Sequence, residues 1–314
     1  MKTSLYIQNT KIQALCGNPS KDGLVVTDWL EAPVPEASVV GGVIVDDAAL
    51  RTVLVQLKAK LGKPLAQAHL VIDSNRIFAK PLNVPILPQS KLIGLIESEF
   101  SDIDNRGQLL YDYMTLRPRR ADGNGGVVLA TAVEKEFIGA YVGLFADAGI
   151  RIESIDIAVA CIARMASTDP VSGKTCIIAS LDGNNLSAVL FVDGMFRMFN
   201  HTRLFQERGT LASSSEITQA VSSMMQFNAS EKTGREVGNV YFCGLQKNEL
   251  RNTVEPDSAA LATISLCERV NAALEVPVSE FPFCSQINAE NKSGKRRNFP
   301  LADFLCSAGN LLGR

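Results

Sequence analysis

An α/β architecture of two similar lobes, one interrupted by a smaller subdomain, follows from three features of this 314-residue chain. Three short strands joined by tight polar turns occur twice, at residues 4–32 and 175–204, each time followed by a helical segment. Between the copies the elements run strand, helix, strand, strand, helix, strand. The length also exceeds one core, since single cores stop growing near roughly 250 to 300 residues.

In the second copy, Cys176-Ile177-Ile178-Ala179-Ser180-Leu181 enters the turn Asp182-Gly183-Asn184-Asn185, returns over 186–192, turns at Asp193-Gly194 and leaves over 195–201. Such turns between apolar runs mark hairpins, because they need positive φ angles that Gly, Asn and Asp reach at low cost. In the first copy, Leu5-Tyr6-Ile7-Gln8 turns at Asn9-Thr10, returns over 11–16 and leaves over 24–30. Asp46-Asp47 then caps a helix over 48–61 whose Leu50, Val53, Leu54, Leu57 and Leu61 share one face, and Gly62-Lys63-Pro64 ends it. Ala68 to Asp73 is a short buried strand.

Next come strand 76–82, helix 88–100 with Leu92, Ile93, Leu95, Ile96 and Phe100 facing inward, strand 108–116, strand 127–133, helix 134–148 and strand 150–157. This βαββαβ order is the split βαβ or ferredoxin-like arrangement. Its central loop carries the basic run Arg117-Pro118-Arg119-Arg120 and the turn Gly123-Asn124-Gly125-Gly126. A helix over 158–165 and a loop over 167–174 lead to the second copy. After it the pattern predicts helix 211–225, strand 239–243 stopping at Gly244, helix 258–274, a polar loop 286–298 with Lys292, Lys295, Arg296 and Arg297, and a closing helix 301–312. The expected division is 1–75 with 158–170 as the first lobe, 76–157 as the insert and 171–314 as the second lobe.

A hydrophobic fraction of 46% supports packed cores, and a net charge of −2 gives no global pull toward nucleic acid or an anionic membrane. No apolar run approaches the roughly 20 residues of a membrane helix. No long apolar segment follows Lys2, so a secretory leader is not expected. The seven cysteines are scattered, without a Cys-x-x-Cys pair, and read as reduced thiols; Cys16, Cys161, Cys176 and Cys243 lie in apolar runs. The two histidines, His69 and His201, lack a second ligand at metal spacing and read as hydrogen-bonded side chains at strand ends. No Gly-x-Ser-x-Gly elbow exposes a nucleophile, and the glycines at 123–126 do not open a dinucleotide-binding helix. The basic loops lack interleaved aromatics, which argues against nucleic acid and leaves, at most, contact with anionic lipid.

A duplicated β-meander followed by a helix is how a two-lobed actin-like (ribonuclease H-like) fold is built. The N-terminal meander, Ala-His-Leu-Val-Ile-Asp-Ser-Asn at 68–75, the inserted βαββαβ piece, Val-Leu-Ala-Thr-Ala-Val-Glu-Lys-Glu at 128–136, Ala148-Gly149-Ile150 before Ile155-Asp156, and the closing helix occur in one succession. That succession resembles PilM, the actin-like cytoplasmic component of type IV pilus assembly, a relative of the cell-division actin homologue and of the cytoplasmic part of the type II secretion L protein. The resemblance spans nearly the whole chain and lies in the order of patterns rather than in invariant motifs. It implies a cytoplasmic structural adaptor, peripheral at the inner membrane. Such an adaptor grips the short cytoplasmic tail of a membrane-spanning partner between the first lobe and the insert. It would also work beside the pilus assembly ATPase, with a homo-oligomer compatible.

The resemblance further implies two phosphate-binding hairpin turns, one per lobe, whose backbone N–H groups reach phosphate where glycine leaves room, with an aspartate at the first turn holding magnesium waters. The first turn, Tyr6-Ile7-Gln8-Asn9-Thr10-Lys11, has neither aspartate nor glycine, and Lys11 reads as a solvated surface charge. At the second turn the acidic position falls on Ser180 or Asp182 according to where the turn is anchored, and Asp182-Gly183-Asn184-Asn185 also reads as a plain hairpin turn. The adenosine-side motif, usually a strand ending in paired glycines, is reduced to Gly244. Asp182, Gly183, Asn184 and Gly244 are therefore the candidate nucleotide-site residues. No catalytic residue, metal or cofactor is expected beyond weak ATP binding. Two other readings stand: an active actin-fold ATPase or phosphotransferase whose acids lie elsewhere, and an L-type cytoplasmic subunit of type II secretion.

Overall fold

The computed structural model describes residues 1–103, 107–117, 125–231, 234–250, 264–291 and 293–312, apart from the side chains of residues 63 and 64. Turn chemistry sets the first lobe. β1 (Lys2–Ile7), β2 (Lys11–Ser20) and β3 (Gly23–Pro33) are consecutive antiparallel neighbours. The short β4 (Val39–Val40) and β5 (Val43–Ile44), α1 (Asp47–Leu61) and β6 (Gln67–Ile72) follow. Asp46 caps α1 as its position predicts, its carboxylate accepting the Ala49 N–H at 2.9 Å, and Gly62 ends the helix at φ +69°.

Then come β7 (Ile77–Val84), α2 (Gln89–Glu99), β8 (Leu109–Arg117), β9 (Gly126–Glu134), α3 (Lys135–Asp147), β10 (Arg151–Ile157) and α4 (Ala158–Ala163). The second meander is β11 (Cys176–Asp182), β12 (Asn185–Val192) and β13 (Met195–Arg203). It leads to α5 (Leu211–Ser230), β14 (Asn239–Cys243), α6 (Lys247–Leu250), α7 (Leu266–Leu274), β15 (Val278–Glu280), β16 (Ile287–Ala289) and α8 (Leu305–Leu311). α7 opens on a capping box, Ser265 with Glu268. The first part of the helix expected from residue 258 lies outside the described residues, as do Pro118, Arg119, Arg120, Gly123, Asn124 and Lys292.

Pairing between distant segments revises the expected boundaries. β10 pairs in parallel with β6 at the edge of a six-stranded sheet, β10-β6-β1-β2-β3-β16, and the insert keeps a three-stranded sheet, β7-β9-β8. The βαββαβ order holds along the chain, but the insert closes at Glu134 as βαββ and is not a ferredoxin-like unit over 76–157. The reason is where apolar surface goes. α3 sets Phe137, Tyr141, Leu144 and Phe145 into the first-lobe core with Leu5, Ile7, Leu50 and Leu54, whereas the insert's own core is closed by Leu92, Ile96 and Phe100 along α2. The C-terminal part is revised likewise. β16 joins β3 in parallel, and α8 packs on α4, β1, β2 and β6, so these segments return to the first lobe. Gly309 permits that approach, since a Cβ there would lie 2.2 Å from the Cys161 carbonyl oxygen.

The result is five layers: α1 and α3, the six-stranded sheet, α4 and α8, the five-stranded sheet β13-β12-β11-β14-β15, then α5 and α7. The shared cluster around α4 and α8 takes side chains from both sheets, among them Tyr6, Ile178 and Tyr241.

Candidate functional site

The two meanders bring their first turns face to face in the crevice between the lobes. Asp182 pairs with Asn185, leaving Gly183-Asn184 as a two-residue hairpin loop with Gly183 at φ +52°. The Asp182 carboxylate accepts the Asn9 backbone N–H at 3.0 and 3.2 Å and the Asn9 Nδ2–H at 2.8 Å. Asn9 Oδ1 in turn accepts the Gly42 N–H at 3.3 Å. A Cβ on Gly183 would lie 3.7 Å from both Asn9 Cβ and Thr10 Cγ2, so one turn rests on the other. Burial pushes the Asp182 carboxyl up to about 6, the Asn9 N–H opposing and the nearby Asp73 adding.

A second contact crosses the lobes behind the first. Asp73, just past β6, accepts the Ser187 Oγ–H at 3.0 Å, and Ser187 Oγ lies 2.9 Å from His201 Nδ1. Burial raises the Asp73 carboxyl, while His201 and Ser187 hold it back. The hydroxyl stands between acid and imidazole here, whereas a hydrolase relay places the imidazole between acid and hydroxyl. His69 Nδ1 lies 2.9 Å from Ser154 Oγ, so both histidines are the hydrogen-bonded side chains their strand-end positions suggest. Among the described residues no group of three or more His, Cys, Asp or Glu is placed to hold a metal ion.

The sequence gives no sign of the pair that organises the second lobe's turns. Arg208 and Glu249 are 4% and 2% exposed. Arg208 Nε donates to Glu249 Oε1 at 2.5 Å, Nη1 to the Gly183 carbonyl at 2.7 Å, and Nη2 to Glu249 Oε2 and to the Gly244 carbonyl at 3.3 Å. Gly183 and Gly244 thus share one network through Arg208, and the Asn184 carbonyl accepts the Leu204 N–H at 2.6 Å. Gly244 has a packing reason of its own: at φ +69°, its Cβ would lie 2.2 Å from the Leu181 carbonyl oxygen. Of the two candidates for the acidic position, Asp182 reaches the crevice and Ser180 bonds Cys306. Lys11 pairs with Glu31 at 2.7 Å.

A concave site of another kind lies between the insert and the first lobe. α2 covers one face of the three-stranded sheet, and on the other Leu110, Asp112 and Met114 of β8 with Leu129 and Thr131 of β9 line a groove of about 390 Å³. Across it stand Ile155, Asp156 and Ile157 of β10, then Ala160 and Arg164. Both β8 and β10 are edge strands. The Tyr113 N–H donates to Asp112 Oδ1 at 2.8 Å, a local bond in place of a neighbouring strand. Arg164 is steadied by Asp156 Oδ1 at 3.1 Å and the Gly309 carbonyl at 3.5 Å.

No family model and no curated protein matches the chain. Among solved structures it is similar to a PilM-PilN type IV pilus biogenesis complex, with a TM-score of 0.73 and 13% identity over 99% of this chain and 97% of that one. A protein of Bacteroides thetaiotaomicron with an actin-like ATPase fold and unknown function matches at a TM-score of 0.46 and 11% identity, over 89% and 90% of the two chains. The cytoplasmic domain of EpsL, an inner-membrane component of the type II secretion system of Vibrio cholerae, matches at 0.46 and 8%, over 90% and 96%. The first likeness runs end to end and shows that the chain has the two-lobed, actin-like fold of PilM.

Proposed function

We propose that this protein is a structural adaptor of a type IV pilus assembly machine. It stands at the cytoplasmic face of the inner membrane and holds the short cytoplasmic tail of a membrane-spanning partner between the first lobe and the insert. The observation that carries this reading is the groove: two sheet edges, β8 and β10, flank an apolar floor. An extended segment adds to such an edge as a strand, its main chain giving affinity and its alternate side chains filling the floor. The fold shared with a PilM-PilN complex supports a second pilus protein as the partner. No helix among the described residues is long and apolar enough to cross a membrane, and the partner supplies the attachment. Contact with a pilus assembly ATPase would act through rotation of the lobes.

The crevice supports holding rather than catalysis. A phosphate site of the actin type needs turn N–H groups aimed at phosphate oxygens and an acid for the magnesium waters. Here the Asn9 N–H is engaged by Asp182, the Gly183 and Gly244 carbonyls face Arg208, and turn meets turn. These contacts support a role for the Asn9–Asp182 pair as a strut between lobes rather than as part of a magnesium triphosphate site.

A synthetic peptide of the partner's cytoplasmic tail is expected to bind in the micromolar range in a calorimetric titration. Leu110→Glu, at a floor residue that is 41% exposed, should abolish the heat. Wild-type protein giving no heat would sink the reading.

A further inference from the structure

The insert reaches the second lobe as well as the first. β7 and β8 touch β13, and a bulge in β8 between Thr115 and Arg117 re-aims the end of that strand. There Leu116 and Arg117 of β8 and Val127 of β9 stand across a groove of about 430 Å³ from Met195, Phe196 and Arg197. Leu116 and Phe196 also pack against the shared interlobe core, so the floor is continuous with rigid structure.

Charge separates this groove from the one at β10. Among the described residues its charged lining consists of two guanidiniums, one on the insert and one on the second lobe, with no carboxylate. The β10 groove carries Asp112 and Asp156 beside Arg164. Arg197 pairs with Glu231, which is outside the groove lining, but that pair is partly exposed and leaves other guanidinium donors for a ligand. The apolar part of the surface is open, with Met195 51% exposed.

We propose that the groove between the insert and the second lobe docks an extended protein segment in which acidic and apolar side chains alternate. Carboxylates match the planar fork of arginine, and Arg117 and Arg197 supply one such fork on each wall. Its apolar side chains reach Leu116, Val127 and Phe196, while a flat lipid surface does not fill a concave groove. This occupant differs from the tail assigned to the β10 groove, and it would tie the insert to the second lobe.

The test is panning of a random nonapeptide display library on the whole protein, on the Arg117→Glu/Arg197→Glu double variant, and on Leu110→Glu. Wild-type protein and Leu110→Glu should both yield a class of acidic and apolar peptides. Those peptides should bind the double variant at least about tenfold more weakly and lose affinity as salt rises. Both arginines are exposed, so the double variant should keep the wild-type urea midpoint; if it does not, Arg117→Gln/Arg197→Gln gives the same readout. The proposal is overturned if no acidic class is selected, or if that class binds the double variant unchanged. It is equally overturned if phosphatidylglycerol vesicles, and no acidic peptide, bind in a manner that needs the two arginines.

Discussion

Asp182→Asn should change how stability depends on pH. Burial holds the Asp182 carboxyl at about 6 in the folded protein, against an ordinary value of 3.8. Between those values the folded protein binds more protons at this carboxyl than the unfolded chain does, so stability falls as pH rises through the window and the full cost stands above it. A difference of about two pH units corresponds to about 3 kcal/mol. Asparagine carries no charge and pays none of this cost. It keeps one oxygen for the Asn9 donors and loses the other, a roughly pH-independent loss on the order of 1 kcal/mol. Relative to wild type, the variant should therefore gain about 3 kcal/mol between pH about 4 and about 7. Urea unfolding of both proteins across that range, followed by the transition midpoint at constant slope, measures the gain. A midpoint difference that stays flat with pH, or that moves in favour of wild type as pH rises, refutes the reasoning.

Other outcomes follow from the same geometry. Millimolar ATP with magnesium should leave the melting temperature unchanged; a rise would return the phosphate site to the crevice, because a ligand that binds only the folded state stabilises it. Gly244→Ala should destabilise by about 2 kcal/mol or more in urea, since its Cβ meets the Leu181 carbonyl at 2.2 Å and its φ is +69°. Glu249→Ala should cost about 3 to 5 kcal/mol by leaving the Arg208 charge buried and unpaired; a loss no larger than that of an exposed ion pair would mean that water reaches the guanidinium.

What the sequence made legible was local. The Asp-Gly and Asn-Asn turns, the Asp46 cap and the apolar face of α1 each express a rule spanning a few residues, and each stands where it was expected. The order of elements in the insert was legible for the same reason. The partner of β10 was not, because a short apolar strand reads alike whether it pairs with the insert or with β6, and only the burial of α3 decides. β16 lies in a polar stretch whose three strand residues carry almost no pattern. At the site, Asp182, Gly183 and Gly244 were found as turn residues. Their actual partners were hidden, since Asn9 lies 173 residues from Asp182, and Arg208 and Glu249 lie 41 apart. A buried Arg–Glu pair has no spacing signature.

Amide hydrogen exchange of the whole protein, with and without a saturating peptide of the partner's tail, bears most directly on strand addition at the insert. Exchange is predicted to slow along Arg151–Ile157 and Leu109–Arg117, with the turns at Asn9 and Gly183 unchanged. Protection at those two turns, with both sheet edges unaffected, would contradict the account.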